Sequence, residues 1–141
     1  MPTAPVFSLD LKLDPVWIDR SYQHVHHGRA LFILELGRLA LLESIGMPNE
    51  ALLLRGQALV ITKVQATYKR EVKGESVTVT CDRAGLDGRA LVVHQRILNE
   101  KGKDAVEAVI ESVFMDTDTR RGISPPEDFL RAYRSLAIFS E

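Results

Sequence analysis

The chain has 141 residues, of which 45% are apolar and 26% charged, with a formal net charge of -1. That length fits one domain able to bury a core without covalent staples, and the balanced charge gives no support to a nucleic-acid partner. A single cysteine, Cys81, excludes an intramolecular disulfide and favours a reducing compartment.

Met1 to Phe7 lacks the basic segment and long apolar run of a secretory signal. Val6 to Leu13 alternates, with Phe7, Leu9, Leu11 and Leu13 on one side, and predicts a first strand ended by Asp14-Pro15. Val16 to His27 is polar and irregular and holds three of the four histidines. From Gly28 to Ile45, apolar residues recur at helical spacing and also fill most of the remaining surface, which predicts a buried helix stopped by Gly46 and Pro48. Its longest apolar stretch, 30–42, is broken by Glu35 and Arg38, so no membrane span is expected and the chain reads as cytoplasmic.

The rest, to about Asp118, reads as strands. Ala58, Val60, Val64, Ala66, Tyr68 and Val72 are placed on one face of a long segment, and Gly74 marks a turn. Val77, Val79 and Cys81 alternate with Ser76, Thr78 and Thr80. Asp87-Gly88 is a hairpin signal, Leu91 to Leu98 the next strand, and Lys101-Gly102 another turn. Val106, Ala108, Ile110 and Phe114 share a face of the last long strand. Short turns between consecutive strands predict an antiparallel meander. Ser124-Pro125-Pro126-Glu127 predicts a second helix with Ser124 as N-cap and Glu127 closing a capping box. Phe129, Leu130, Tyr133 and Leu136 would dock it on the sheet. The expected architecture is one α+β domain over 1–141, a curved antiparallel sheet wrapped around one central helix with a short C-terminal helix. The sheet's open face and edges call for a second subunit, and so for a homodimer or homotetramer.

In order and spacing, the stretch Asp19 to His27, the helix with Glu35-Leu36-Gly37-Arg38, the long strand 56–74 carrying Tyr68, and Val113 to Asp116 resemble the 4-hydroxybenzoyl-CoA thioesterase-like branch of the hot-dog superfamily. The resemblance runs from about Val6 to Leu130. It implies a hot-dog fold and hydrolysis of an acyl-CoA or acyl-carrier-protein thioester, with no cofactor beyond the coenzyme A or carrier protein of the substrate. One departure stands out: the gap-free match puts Arg20 at the family's catalytic aspartate, with Asp19 one residue earlier.

Such a reaction needs a carboxylate as nucleophile or general base, and donors for the carbonyl oxygen. Asp19 is the first candidate carboxylate. Against it stands an ordinary turn aspartate. The backbone of His27, with Gly28 beside it, matches the family's polarising amide at the start of the helix, where free N–H groups and the helix dipole coincide. His24 matches a position that often contributes to the site. Tyr68 and Arg70 are candidate substrate-binding residues, Arg70 for the coenzyme A phosphates. The cluster His24, His26 and His27 matches no closed zinc motif, so no metal is expected. Glu35 and Arg38 read first as an ion pair on one helix face, and second with Glu35 as the catalytic carboxylate, as in another hot-dog branch. Pairing His27 with Glu35 keeps a hot-dog dehydratase or hydratase open, and Arg20 keeps a non-catalytic acyl-thioester-binding module open. Cys81 is read as core.

Overall fold

The computed structural model describes residues 6–141. Residues 1–5, on which the reading of the N-terminus mainly rests, lie outside the described residues. The elements are β1 (Phe7–Lys12), a short 3-10 turn (Pro15–Trp17), β2 (Ile18–Asp19), β3 (His24–Val25), α1 (His27–Ser44) and α2 (Asn49–Leu54). They continue with β4 (Gln57–Tyr68), β5 (Ser76–Asp87), β6 (Ala90–Leu98), β7 (Asp104–Asp116), β8 (Gly122–Ile123) and α3 (Glu127–Arg134). Among the described residues, no helix is long and apolar enough to cross a membrane.

The main sheet is antiparallel, in the order β1-β5-β6-β7-β4, with β8 on β7. The alternation in β1 buries Phe7, Leu9 and Leu11 partly and exposes the residues between them. In β5 the same alternation buries Val77, Val79 and Cys81. The meander holds for β5, β6 and β7, where Gly88 turns with positive φ between the paired ends Asp87 and Ala90. It does not extend to β4, which pairs with β7 at the opposite edge from β1. The segment after β4 is tied down elsewhere. Buried Val72 accepts from the Val25 amide at 2.7 Å, and Glu75 from the Leu13 amide at 2.8 Å. The chain therefore crosses the end of α1 instead of turning back.

Three local expectations are corrected. First, β4 carries a bulge between Ile61 and Lys63, opposite Ser112 and Glu111. An extra residue reverses the alternation. Leu59 and Ile61 therefore share one face with Val64, Ala66 and Tyr68, whereas Ala58 and Val60 lie on the other. Val72 lies beyond the strand. Second, Asn49–Leu54 is helical, not strand, with Pro48 at its N-cap and Leu52 fully buried. Third, α3 begins at Glu127 behind Pro126, with no side-chain cap, so Ser124 is not its N-cap. Two prolines fix the extended backbone that enters the helix. Phe129 and Tyr133 dock as expected, and both are buried.

The core has two parts joined along α1. One gathers Ile33, Leu34, Val79, Ile97, Val106 and Ile110. The other gathers Leu41, Leu52, Phe114, Phe129 and Tyr133. Between them Gly37 packs so closely that a Cβ there would lie 2.8 Å from Val79 Cγ2 and 3.1 Å from Gln95 Nε2. The helix can approach the sheet this far only with glycine at that position.

One surface carboxylate fastens the start of β5. Glu100 accepts from the Glu75 and Ser76 amides, and these hydrogen bonds hold its carboxyl below the usual range. A depressed folded-state pKa adds stability above the unfolded value, and that stability is lost as pH falls through the folded one. Glu100→Gln is therefore expected to lessen the acid sensitivity of unfolding below the ordinary glutamate range, read from urea midpoints across that window.

Candidate active site

The loop before α1 is laced into place by backbone bonds. Trp17 accepts from the His26 amide at 2.9 Å, and Asp19 from the Gln23 amide at 2.7 Å. Gln23 takes a left-handed conformation, φ 59°. The short ladder β2–β3 sets Asp19 opposite His24. The Trp17 ring meets Phe32 of α1 edge-on, with centroids 5.9 Å apart.

These ties place a cleft at the amino end of α1. It is lined by His24, His27, Ala30, Tyr68, Arg70 and Val106, among others. Four of the sequence candidates, His24, His27, Tyr68 and Arg70, thus converge on one opening from two separate stretches of chain. The Tyr68 hydroxyl donates to the His27 carbonyl at 2.9 Å, and burial pushes its phenol above the ordinary value. Arg70 Nη1 donates to the Asp104 carbonyl at 2.6 Å, which fixes the side chain at the rim.

The amides of the first turn are not equivalent. His26 is the N-cap, and its Nδ1 accepts from the Gly28 amide at 3.0 Å. This capping histidine was missed in the sequence, because the usual cap residues are Ser, Thr, Asp and Asn. A Cβ on Gly28 would crowd the same ring at 3.3 Å, so this glycine makes room for the cap. The Gly28 amide is therefore engaged within the chain. The amides of His27 and Arg29 have no hydrogen-bond partner among the described residues. They carry the partial positive charge of the helix terminus toward the cleft.

Glu71 is the carboxylate among the residues that line the cleft; Asp19, on the loop before α1, is not among them. One of its oxygens, Oδ1, accepts from the Ser21 amide at 2.8 Å, a turn contact that orients the group. Arg20 is exposed. Glu35 is also exposed. It lies two turns along α1 from His27, about 12 Å, and lines a different cavity with Arg38. The expected Glu35–Arg38 ion pair is not made. No carboxylate lies in salt-bridge range of Arg38 among the described residues, and Glu35 acts on it only through space. The helical spacing is right, but the Arg38 guanidinium turns inward to Gln95. Burial pushes the Cys81 thiol up to about 12, which leaves it protonated at neutral pH.

The thioesterase-like superfamily model matches residues 13–133. The chain belongs to the thioesterase-like superfamily. That membership sets the broad activity class as thioester hydrolysis. No curated protein matches the chain in sequence. Among solved structures, a DHNA-CoA thioesterase from Staphylococcus aureus is 20% identical, with a TM-score of 0.84 over 91% of this chain and 88% of that one. A 1,4-dihydroxy-2-naphthoyl-CoA thioesterase from Synechocystis is 14% identical, with a TM-score of 0.83 over 94% and 98%. A protein from Staphylococcus aureus solved in complex with CoA is 20% identical, with a TM-score of 0.80 over 94% and 84%. The shared fold is the hot-dog arrangement of an antiparallel sheet packed on one long helix.

Proposed function

We propose that this thioesterase-like protein hydrolyses acyl thioesters of coenzyme A at the amino end of α1. The observation that carries the reading is the convergence of His24, Tyr68 and His27, whose α1 amide is unengaged, on one cleft. The structural neighbour bound to CoA favours coenzyme A over a carrier protein as the thiol half. In the proposed reaction the thioester oxygen accepts from the His27 or Arg29 amide. Asp19 takes a proton from water as the water oxygen bonds to the carbonyl carbon. The tetrahedral oxyanion then collapses, the C–S bond breaks, and the departing thiolate takes up the proton. Oriented donors of this kind are worth roughly 3–4 kcal/mol to such a transition state.

The working unit is proposed to be a homodimer built on β4. That strand is the free edge of the sheet and exposes Val60, Ile61, Val64 and Tyr68, while α1 exposes Leu31 and Phe32. Unpaired edges and contiguous apolar surface favour a second copy. Antiparallel β4 pairing runs two α1 helices in opposite directions, so that the amino end of one faces the middle of the other. Glu71 lines the cleft within the same chain, and Glu35 of a second copy is then a further carboxylate with a route to it.

The test is release of free thiol from a panel of short, long and aromatic acyl-CoAs. Turnover on at least one is expected. Tight binding without turnover, or water addition to an enoyl-CoA in place of hydrolysis, overturns the reading.

A further inference from the structure

A second cavity, about 120 Å³, lies between the middle of α1 and the sheet. Leu39, Leu42, Leu59, Ile61 and Val93 supply its apolar walls. Glu35, Asn49 and Ser112 add polar groups to the lining, and α1 delivers into it Arg38, a half-buried guanidinium that Glu35 influences through space without a salt bridge. Its Nη1 donates to Gln95 Oε1 at 2.9 Å, the one hydrogen bond it makes among the described residues. A guanidinium has five N–H donors, so most of its capacity is unspent.

The arrangement beneath it is built. Gln95 is 1% exposed, in the middle of an apolar sheet face. Its Nε2 donates to the Leu34 carbonyl at 2.9 Å and sits 3.5 Å from Cys81 Sγ, which leaves Oε1 turned toward Arg38. Gly37 brings α1 down onto the same side chain. A polar residue buried this deeply is costly unless it is bonded, and here its bonds serve to aim one cation. A partly desolvated cation without a counter-ion is a standing cost that an anion would relieve. Burial accordingly lowers the Arg38 pKa, opposed only by through-space charges such as Glu35.

Cavity size limits the occupant. An apolar cavity of roughly 150 Å³ takes up one benzene, so this one suits a short acyl group. We infer that the acyl half of the substrate ends in a carboxylate held by Arg38, with Gln95 as the positioning residue, which makes the substrate a coenzyme A monothioester of a short dicarboxylic acid. The planar fork of arginine matches a carboxylate in two-point contact. The inference rests on the thioesterase reading above, in which the amino end of a second α1 faces this stretch of helix.

The experiment compares glutaryl-CoA with valeryl-CoA, acyl groups of equal chain length that differ in the terminal carboxylate. The wild-type kcat/KM ratio is expected to favour glutaryl-CoA by roughly tenfold to a hundredfold, the range of charge-assisted hydrogen bonding. Arg38→Met should bring the ratio to about unity or below. Gln95→Glu, which supplies an internal carboxylate of equal size beside the guanidinium, should lower the same ratio. A merely structural role would slow both substrates alike and leave the ratio unmoved. Calorimetric binding of the corresponding ω-carboxyalkyl and alkyl thioethers of coenzyme A, which cannot be hydrolysed, should show the same preference and the same loss in both variants. If no thioester is turned over while the thioether preference holds, the hydrolase reading fails and this one stands. A wild type that prefers valeryl-CoA, or treats the two alike, overturns the inference. So does a wild type without preference whose dimer weakens in Arg38→Met, which would assign the cation to a carboxylate of a second copy.

Discussion

Asp19→Asn is expected to lower kcat/KM for thioester hydrolysis by about 10²–10⁴-fold, the range of a positioned general base, with coenzyme A binding nearly unchanged. Asparagine keeps the side-chain oxygen that accepts from the Ser21 amide, so the turn and the β2–β3 ladder persist and the loss reports on proton transfer. Glu35→Gln is the matched control. Glu35 lies two turns from His27 in its own chain and is exposed, so a loss of less than about tenfold is expected there. Thiol release under saturating and limiting substrate separates kcat from KM for both variants. The reverse pattern transfers the role to Glu35 reaching across the dimer. Activity retained in both removes each of them from the chemistry.

Phe129→Ala is expected to destabilise the protein by about 3–5 kcal/mol, a large share of the roughly 5–15 kcal/mol that holds such a domain together. Phe129 is fully buried and lies between two rings. Phe114 meets it edge-on at 4.8 Å, and Tyr133 stacks on it at 5.6 Å. No flexible side chain among these neighbours can refill the space, so the cavity cost is borne in full. A fall in the urea midpoint with an unchanged slope is the expected readout. The same change should disturb the cavity beside Arg38, because Tyr133 forms part of its wall. That tyrosine donates to the Gly85 carbonyl at 3.0 Å, and burial raises its phenol so far that it remains a donor at working pH.

What could be read from the residues followed the strength of local pattern. Val77, Val79 and Cys81 lie on the buried face that their alternation predicts, and the helix from His27 to Ser44 keeps the bounds implied by Gly28 and Gly46 to within a residue or two. β4 misled the reading because its bulge is a pairing event with Ser112 and Glu111, residues far away in sequence. Its place beside β7 was hidden for the same reason: a hairpin turn leaves a sequence signal, and a crossing over the end of a helix leaves none. Asn49–Leu54 is too short for helical periodicity to outweigh the strands around it. At the site, the resemblance points to His24, His27 and Tyr68, the need for a cation at the coenzyme A phosphates points to Arg70, and the four share a cleft. Two features escaped it. One is the His26 cap, which takes Gly28 out of the set of free donors. The other is the inward turn of Arg38, which depends on Gln95, a residue whose own alternation marks it only as core.

The close seat of Gly37 on Val79 has a mechanical corollary. A helix clamped to its sheet at mid-length cannot slide or roll to admit a bulkier guest. Room for larger acyl groups has to come from the opposite walls, where Leu59 and Ile61 on the free-edge strand and Tyr133 on the last helix are carried by other elements. Substitutions there should retune the size of molecule accepted while the first turn of α1 stays where it is.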